Sequence, residues 1–392
     1  MPRNVRFVAL LALMSGLAPI SIHILLPVLP EIERAFGRGG GVSQLTLTLG
    51  LVAMAVTTIA YGPAADRFGR KPVLLFGLAL FAFGSLLCIW SPNIEVLIVG
   101  RVVQAAGGAA GMVISRAIVR DVYDREESAR IIGYMMSIII LAPIFAPLIG
   151  GFLTELFGWR SVFIFAGLMG AIALVFTLVG YRETTQRLPG GSFLREISTA
   201  FPILLKDRAF LAYTGYACFG VSIFMTFSGG LPHIMVNLFD RPPSDFGLFF
   251  MMIMTGFMIG TVLSTRLTPK IGIENMIRRA SATGFLVALV MLTLLLTGHV
   301  SPWTIFVPAA AMGICHGLAM PNAQAAGVSV NPSIAGSASG LLIFIQMAVG
   351  AAFAQSAGMI PTDTPFPLVI QVTIAAFLAF ASFSFLIGRR RS

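Results

Sequence analysis

Gly62-Pro63-Ala64-Ala65-Asp66-Arg67-Phe68-Gly69-Arg70-Lys71-Pro72 is a short charged stretch between two long apolar runs. It sets one carboxylate, three cations and two glycines where the chain reverses, so it reads as a hairpin held in a defined shape. Gly62 and Gly69 are expected to relax the backbone at tight turns, and Pro72 suits the start of the following helix. Asp66 is a lone anion beside Arg67, Arg70 and Lys71. It can accept hydrogen bonds from those cations or from an exposed helix amino terminus, where the dipole is worth about 0.3–1 kcal/mol. The plainer alternative is an ordinary basic loop.

The flanking runs define the solvent. Hydrophobic residues make up 57% of the 392, charged residues 11%, and the mean hydropathy is +0.91, which excludes a water-soluble fold of this size. Apolar runs of about 20 residues, enough to cross roughly 30 Å of hydrocarbon, recur along the chain. Twelve spans are predicted, at 5–28, 43–63, 72–91, 94–117, 130–157, 160–181, 209–237, 245–266, 277–298, 302–329, 333–359 and 365–388. The first follows Arg3 and Arg6, as a secretory signal would, yet it stays apolar to Pro30 without a small-residue cleavage site and is read as a span.

Placing both termini in the cytoplasm leaves Arg34, Arg38, Arg160 and Arg241 outside and the other loop cations inside. The net charge of +10 then reflects positive-inside topology and attraction to anionic lipid, not a nucleic-acid partner. Cys88, Cys218 and Cys315 lie in separate apolar segments without paired spacing, so they read as packing residues, with no disulfide framework or metal cluster indicated.

The longest polar interruption, Arg182 to Arg208, divides the chain into an amino-terminal six-helix bundle (1–181), a cytoplasmic linker (182–208) and a carboxy-terminal six-helix bundle (209–392). Leu29-Pro30 recurs as Leu231-Pro232 and Phe68-Gly69 as Ile271-Gly272, at offsets of 202 and 203 residues. Parallel halves of this kind belong to one large transporter architecture.

The 62–72 stretch resembles the signature loop between spans 2 and 3 of the major facilitator superfamily. Gly100-Arg101-Val-Val-Gln104-Ala-Ala-Gly107-Gly108 resembles the span 4 motif of its proton-driven drug exporters. Ala142-Pro143-Ile-Phe-Ala-Pro147-Leu-Ile-Gly150-Gly151 resembles their antiporter motif, and its doubled Ala-Pro form, followed by Gly158-Trp159-Arg160, is similar to the bicyclomycin-resistance (Bcr/CflA) branch. The resemblance covers nearly the whole chain. It implies an all-α membrane protein of twelve helices in two pseudo-symmetric six-helix bundles, in a bacterial inner membrane, exporting small hydrophobic drugs against protons by alternating access. It also implies that Asp66, Arg70 and Asp121, with Gly62, Arg67 and Gly69, hold a conformational gate. A small-molecule substrate, protons and membrane lipids are the expected partners of a monomer, with no cofactor.

Arg101 lies well inside span 4, where insertion costs about 2.5–3.5 kcal/mol. It should therefore face a polar cavity or a partner, with Gln104 on the same helix face; snorkelling to the outer surface is the alternative. Pro143 and Pro147 should bend span 5, and Gly150 and Gly151 should let helices approach closely.

His23 stands where related exporters commonly carry an aspartate before Leu-Pro-x-Leu-Pro. An imidazole can still load a proton between about pH 5 and 8, but it cycles between zero and plus one where a carboxylate cycles between minus one and zero. A structural, hydrogen-bonded imidazole is the alternative. His316, Asn322 and Gln346 are further cavity candidates, and Met and Phe side chains in spans 7 and 8 suit either an adaptable cavity or packing. No Gly-x-Ser-x-Gly, His-Glu-x-x-His or Gly-Lys-Ser/Thr stretch supplies catalysis or nucleotide binding, so an enzyme is not expected. A uniporter or importer of a specific metabolite, anionic among the options, is the runner-up, favoured by Arg101 and the missing span 1 acid.

Overall fold

The computed structural model describes residues 5–181, 183, 200–331, 334–361 and 363–388. Most of the expected linker, with Arg182, Arg187, Gly190, Gly191 and Arg195, lies outside the described residues, as do Arg3 and Arg389 to Arg391. The described chain is helical without strands, the form in which a lipid-embedded backbone satisfies its own polar groups. It divides into two compact units, Met1–Gly191 and Ser192–Ser392.

Unit 1 comprises α1 (Val5–His23), a 3-10 turn (Leu26–Val28), α2 (Leu29–Phe36), α3 (Gly40–Phe68), α4 (Arg70–Ile89), α5 (Ile94–Val122), α6 (Arg125–Phe157) and α7 (Ser161–Gly180). Unit 2 comprises α8 (Arg208–Asn237), α9 (Pro243–Ile271), α10 (Ile273–Leu296), α11 (Pro302–Ser329), α12 (Ala335–Gly358) and α13 (Phe366–Gly388). Eleven spans are long and apolar enough to cross a membrane, the first being Phe7–Phe36 with its internal break. The twelfth is α6, whose apolar part among the described residues is Leu141–Phe157. The chain is a multi-pass membrane protein.

The two units share a packing scheme. In unit 1, α3 and α4 both pack against α5; in unit 2, α9 and α10 both pack against α11. Small residues make the approach possible. A Cβ on Gly107 would collide with the α4 backbone at Phe81, and one on Gly260 or Gly317 would collide with the α11 or α9 backbone across that seam. Helices in lipid associate through such close van der Waals contact, because apolar burial offers no preference between a helix and a lipid tail.

The repeat is also visible in the backbone. α3 ends at Gly69, with φ +99° and ψ 153°, and α9 ends at Gly272, with φ +85° and ψ 150°. Each glycine N–H closes the last turn, onto Ala65 O at 3.1 Å and Thr268 O at 2.8 Å respectively, and each is followed at once by a new helix. The other repeat differs locally: α8 runs continuously through Pro232, whereas the first span breaks after His23 and restarts near Pro30.

The sequence expectation of a turn at Gly62 does not hold. Gly62 lies inside α3, as do Pro63, Asp66 and Arg67, and a Cβ there would meet nothing within 4 Å. The reversal is confined to Gly69, because one residue in a conformation open mainly to glycine suffices to break the helix.

Gly69→Ala and Gly272→Ala are each expected to lower stability by about 1–3 kcal/mol through backbone strain. Gly69→Ala should be the more damaging of the two, since its Cβ would lie 2.6 Å from Glu183 Oε2. Thermal unfolding of the detergent-purified variants checks both values and their order.

Candidate functional site

The charged cluster of unit 1 forms at the Gly69 junction. Arg70 opens α4, is half-buried, and directs Nη1 to Asp66 Oδ1 at 2.6 Å and Nε to Asp121 Oδ2 at 3.0 Å. One guanidinium thereby ties the end of α3 to the end of α5, which charge-assisted geometry favours. Arg67 does not join: it is exposed, with its guanidinium 5.3 Å from the Phe68 ring.

The exposed helix amino terminus expected to attract Asp66 is occupied by a different acid. Glu183, just beyond α7, accepts from Arg70 N and Lys71 N, both at 3.0 Å, so its two oxygens cap the start of α4. Lys71 Nζ donates to Leu178 O at 3.1 Å, adding a second tie to α7. Sequence reading missed Glu183 because 112 residues separate it from Lys71; the signal available was an acid directly after a span.

The Arg101 cluster lies deeper in unit 1. Arg101 is 1% exposed, which removes the snorkelling alternative. Its Nη1 donates to Gln104 Oε1, and its Nε donates to Thr46 O at 3.3 Å. Gln104 Nε2 passes the chain of bonds to Ser85 Oγ at 2.8 Å. The guanidinium carbon lies 5.9 Å from the Phe163 ring, and Nη2 has no hydrogen-bond partner among the described residues. All these partners are neutral. They come from α3, α4, α5 and α7, so Arg101 points into the bundle.

His23 closes α1 and is half-buried. The next carbonyl, Ile24 O, is approached so closely by α6 that a Cβ on Gly150 would strike it. Gly150 of the span 5 motif thus packs on the backbone adjoining His23. Gly151 and Pro147 are buried and Pro143 is half-buried, and α6 runs unbroken through both prolines.

The sequence candidates of unit 2 fall in three polar groupings among the described residues. His316, midway along α11, is half-buried with Nδ1 3.4 Å from Tyr216 Oη and with the Tyr216 and Phe257 ring centroids at 6.1 and 5.6 Å. Gly220 makes room for it: a Cβ there would lie 2.5 Å from His316 Cε1. Asn322 donates through Nδ2 to Ser264 Oγ at 2.8 Å, Thr268 Oγ1 at 2.9 Å and Leu318 O at 2.8 Å. Gln346 is buried and accepts from Gln324 Nε2 at 3.3 Å. Phe227 and Met254 are packed in the core of the unit.

Asn322 also lines a cleft of about 860 Å³, with Tyr213, Ser264, Thr268, Gly272 and Glu274. This cleft reaches the Gly272 junction. At the equivalent junction of unit 1 the space is taken by the Glu183 and Arg70 bonds, whereas nothing lies within 4 Å of a Cβ built on Gly272.

A helical membrane chain with two like-built units and polar clusters inside its spans has the architecture expected of a transporter built from parallel repeats. The family comparison is specific: the Major Facilitator Superfamily model matches residues 11–355, and the chain belongs to that family. It is 28% identical over 387 residues to the "Bicyclomycin resistance protein homolog" of Haemophilus influenzae, covering 98% of this chain and 96% of that one. It is 31% identical over 273 residues to the "Chloramphenicol resistance protein" of Pseudomonas aeruginosa, covering 69% and 64%. Among solved structures, a bacterial homologue of the human lysosomal transporter Spinster shares the fold, with a TM-score of 0.76 at 16% identity over 100% of this chain and 97% of that one.

Glu183→Ala is expected to destabilise the protein by about 1–2 kcal/mol through loss of the charge at the α4 amino terminus, and Glu183→Gln by less. Thermal unfolding in detergent at low and high salt checks this, because the charge-dependent part should shrink with salt.

Proposed function

We propose that the protein is a proton-coupled exporter of small, largely hydrophobic compounds, working in a bacterial inner membrane with both termini cytoplasmic. The observation that carries the reading is the buried Arg101–Gln104–Ser85 chain, read with the two drug-resistance relatives. A hydrogen-bonded guanidinium costs too much inside a span to be kept for packing alone. In this reading the bundles rock as a monomer among membrane lipids. Asp66, Arg70 and Asp121 stabilise one of the two conformations, while His23 carries the proton beside the α1–α6 seam.

The energetics are adequate. A proton crossing 100 mV supplies about 2.3 kcal/mol, and one pH unit about 1.4 kcal/mol. Together they support a drug gradient of roughly several hundred-fold per proton.

A second reading, a uniporter or importer of a specific metabolite, anionic among the options, is favoured by the same Arg101, whose partners include no acid. Substrate-dependent proton movement in proteoliposomes separates the two: an exported drug that moves no protons would sink the antiport mechanism.

Expression in an efflux-deficient host is expected to lower chloramphenicol accumulation. Arg101→Ala should cut transport about ten- to a hundredfold, matching the loss of about 1.5–3 kcal/mol in charged hydrogen bonds. His23→Ala should abolish the dependence of uptake into inverted vesicles on a pH gradient. If that dependence survives unchanged, His23 is a structural residue.

A further inference from the structure

Of the sixteen acidic residues in the chain, all but Glu196 have a described backbone position. Each of these lies in a loop, at a helix cap, in the first or last turn of a long helix, or on the short α2. Asp66 and Asp121 close α3 and α5, Glu155 is in the last turn of α6, and Asp245 and Glu274 are in the first turns of α9 and α10. Among the described residues, Glu31 and Glu33 on the short α2 that ends the first span stand furthest in, and in the long helices of either unit no carboxylate lies beyond the first or last turn.

Basic side chains do enter the spans. Arg101, Arg116, His233 and His316 each lie a turn or more inside a helix, and His23 stands at the break in the first span. Arg101 is the strongest of these sources. It is buried, all its hydrogen-bond acceptors are neutral, and Nη2 has none. An interior cation without a counter-anion projects positive potential that salt does not screen. Aromatic rings can also attract a cation, and in unit 2 the Tyr216 and Phe257 rings already lie against His316.

We infer that this transporter takes uncharged or anionic compounds and excludes permanent organic cations, since its long spanning helices carry basic groups well inside them and carboxylates only in their end turns. The inference rests on the export reading above and assigns that site its substrate class. A fixed interior acid is what a cationic drug needs to offset its lost hydration, and the long spanning helices of this chain hold their acids at their ends.

The test uses the purified full chain in proteoliposomes with uncharged chloramphenicol and bicyclomycin and the permanent cations tetraphenylphosphonium and ethidium. The expected result is transport of an uncharged compound at least about tenfold faster than either cation, a ratio equivalent to about 1.4 kcal/mol. Comparable rates for cations and uncharged compounds overturn the inference and leave the export reading standing. Movement of cations alone also overturns it. Transport of none of the four overturns the export reading, and the inference with it. A second variant probes the cause: His23→Asp puts a carboxylate inside the first span and should raise cation transport at least tenfold. An unchanged cation rate in a His23→Asp protein that still moves chloramphenicol overturns the electrostatic explanation.

Discussion

Hydrocarbon offers no hydrogen bonds, and this one property of the surrounding solvent governs the molecule at every level. The backbone answers it by being helical wherever it spans. Side chains answer it by meeting one another: Arg101 with Gln104 and Thr46, Asn322 with Ser264, Thr268 and Leu318, Gln346 with Gln324. Acids answer it by withdrawal to the helix ends, where Arg70 or a helix amino terminus receives them. Among the described residues, buried polar side chains are found on nearly every spanning helix, and Arg101 is the one among them that carries a fixed charge.

The same backbone design is used twice and given different chemistry. Gly69 and Gly272 end their helices in nearly the same conformation, and the helices on either side pack against the fourth span of their own unit. In unit 1 that junction is tied by Arg70, Asp66, Asp121 and Glu183; in unit 2 the corresponding space is a cleft bordered by Thr268, Gly272 and Asn322. Charge thus ties the first copy of the repeated element, while at the second Glu274 lines an open cleft.

Close helix packing links the motifs to one another. Gly150, read from sequence as a residue for tight helix contact, sets α6 against the carbonyl beside His23, so the span 5 motif and the span 1 histidine become neighbours. Gly220, a residue no motif marks, opens the space that His316 fills. In both cases a missing side chain positions a polar one. A backbone that approaches this closely leaves little room for water, which suits a barrier to ions.

The number and order of spans, the family and the identity of Arg101, Gln104, Asp66 and Arg70 were all legible in the sequence, because hydropathy over 20 residues is a local signal and the motifs are contiguous. The tertiary structure decided what depends on residues far apart in the chain. It moved the turn from Gly62 to Gly69 alone, gave the α4 amino terminus to Glu183 instead of Asp66, and left Arg67 outside the cluster. It also turned Arg101 inward among neutral partners from three other helices. A sequence states which charges exist and how deep in a span each sits; which of them meet is set by helix packing, and therefore appears only when the bundle is assembled.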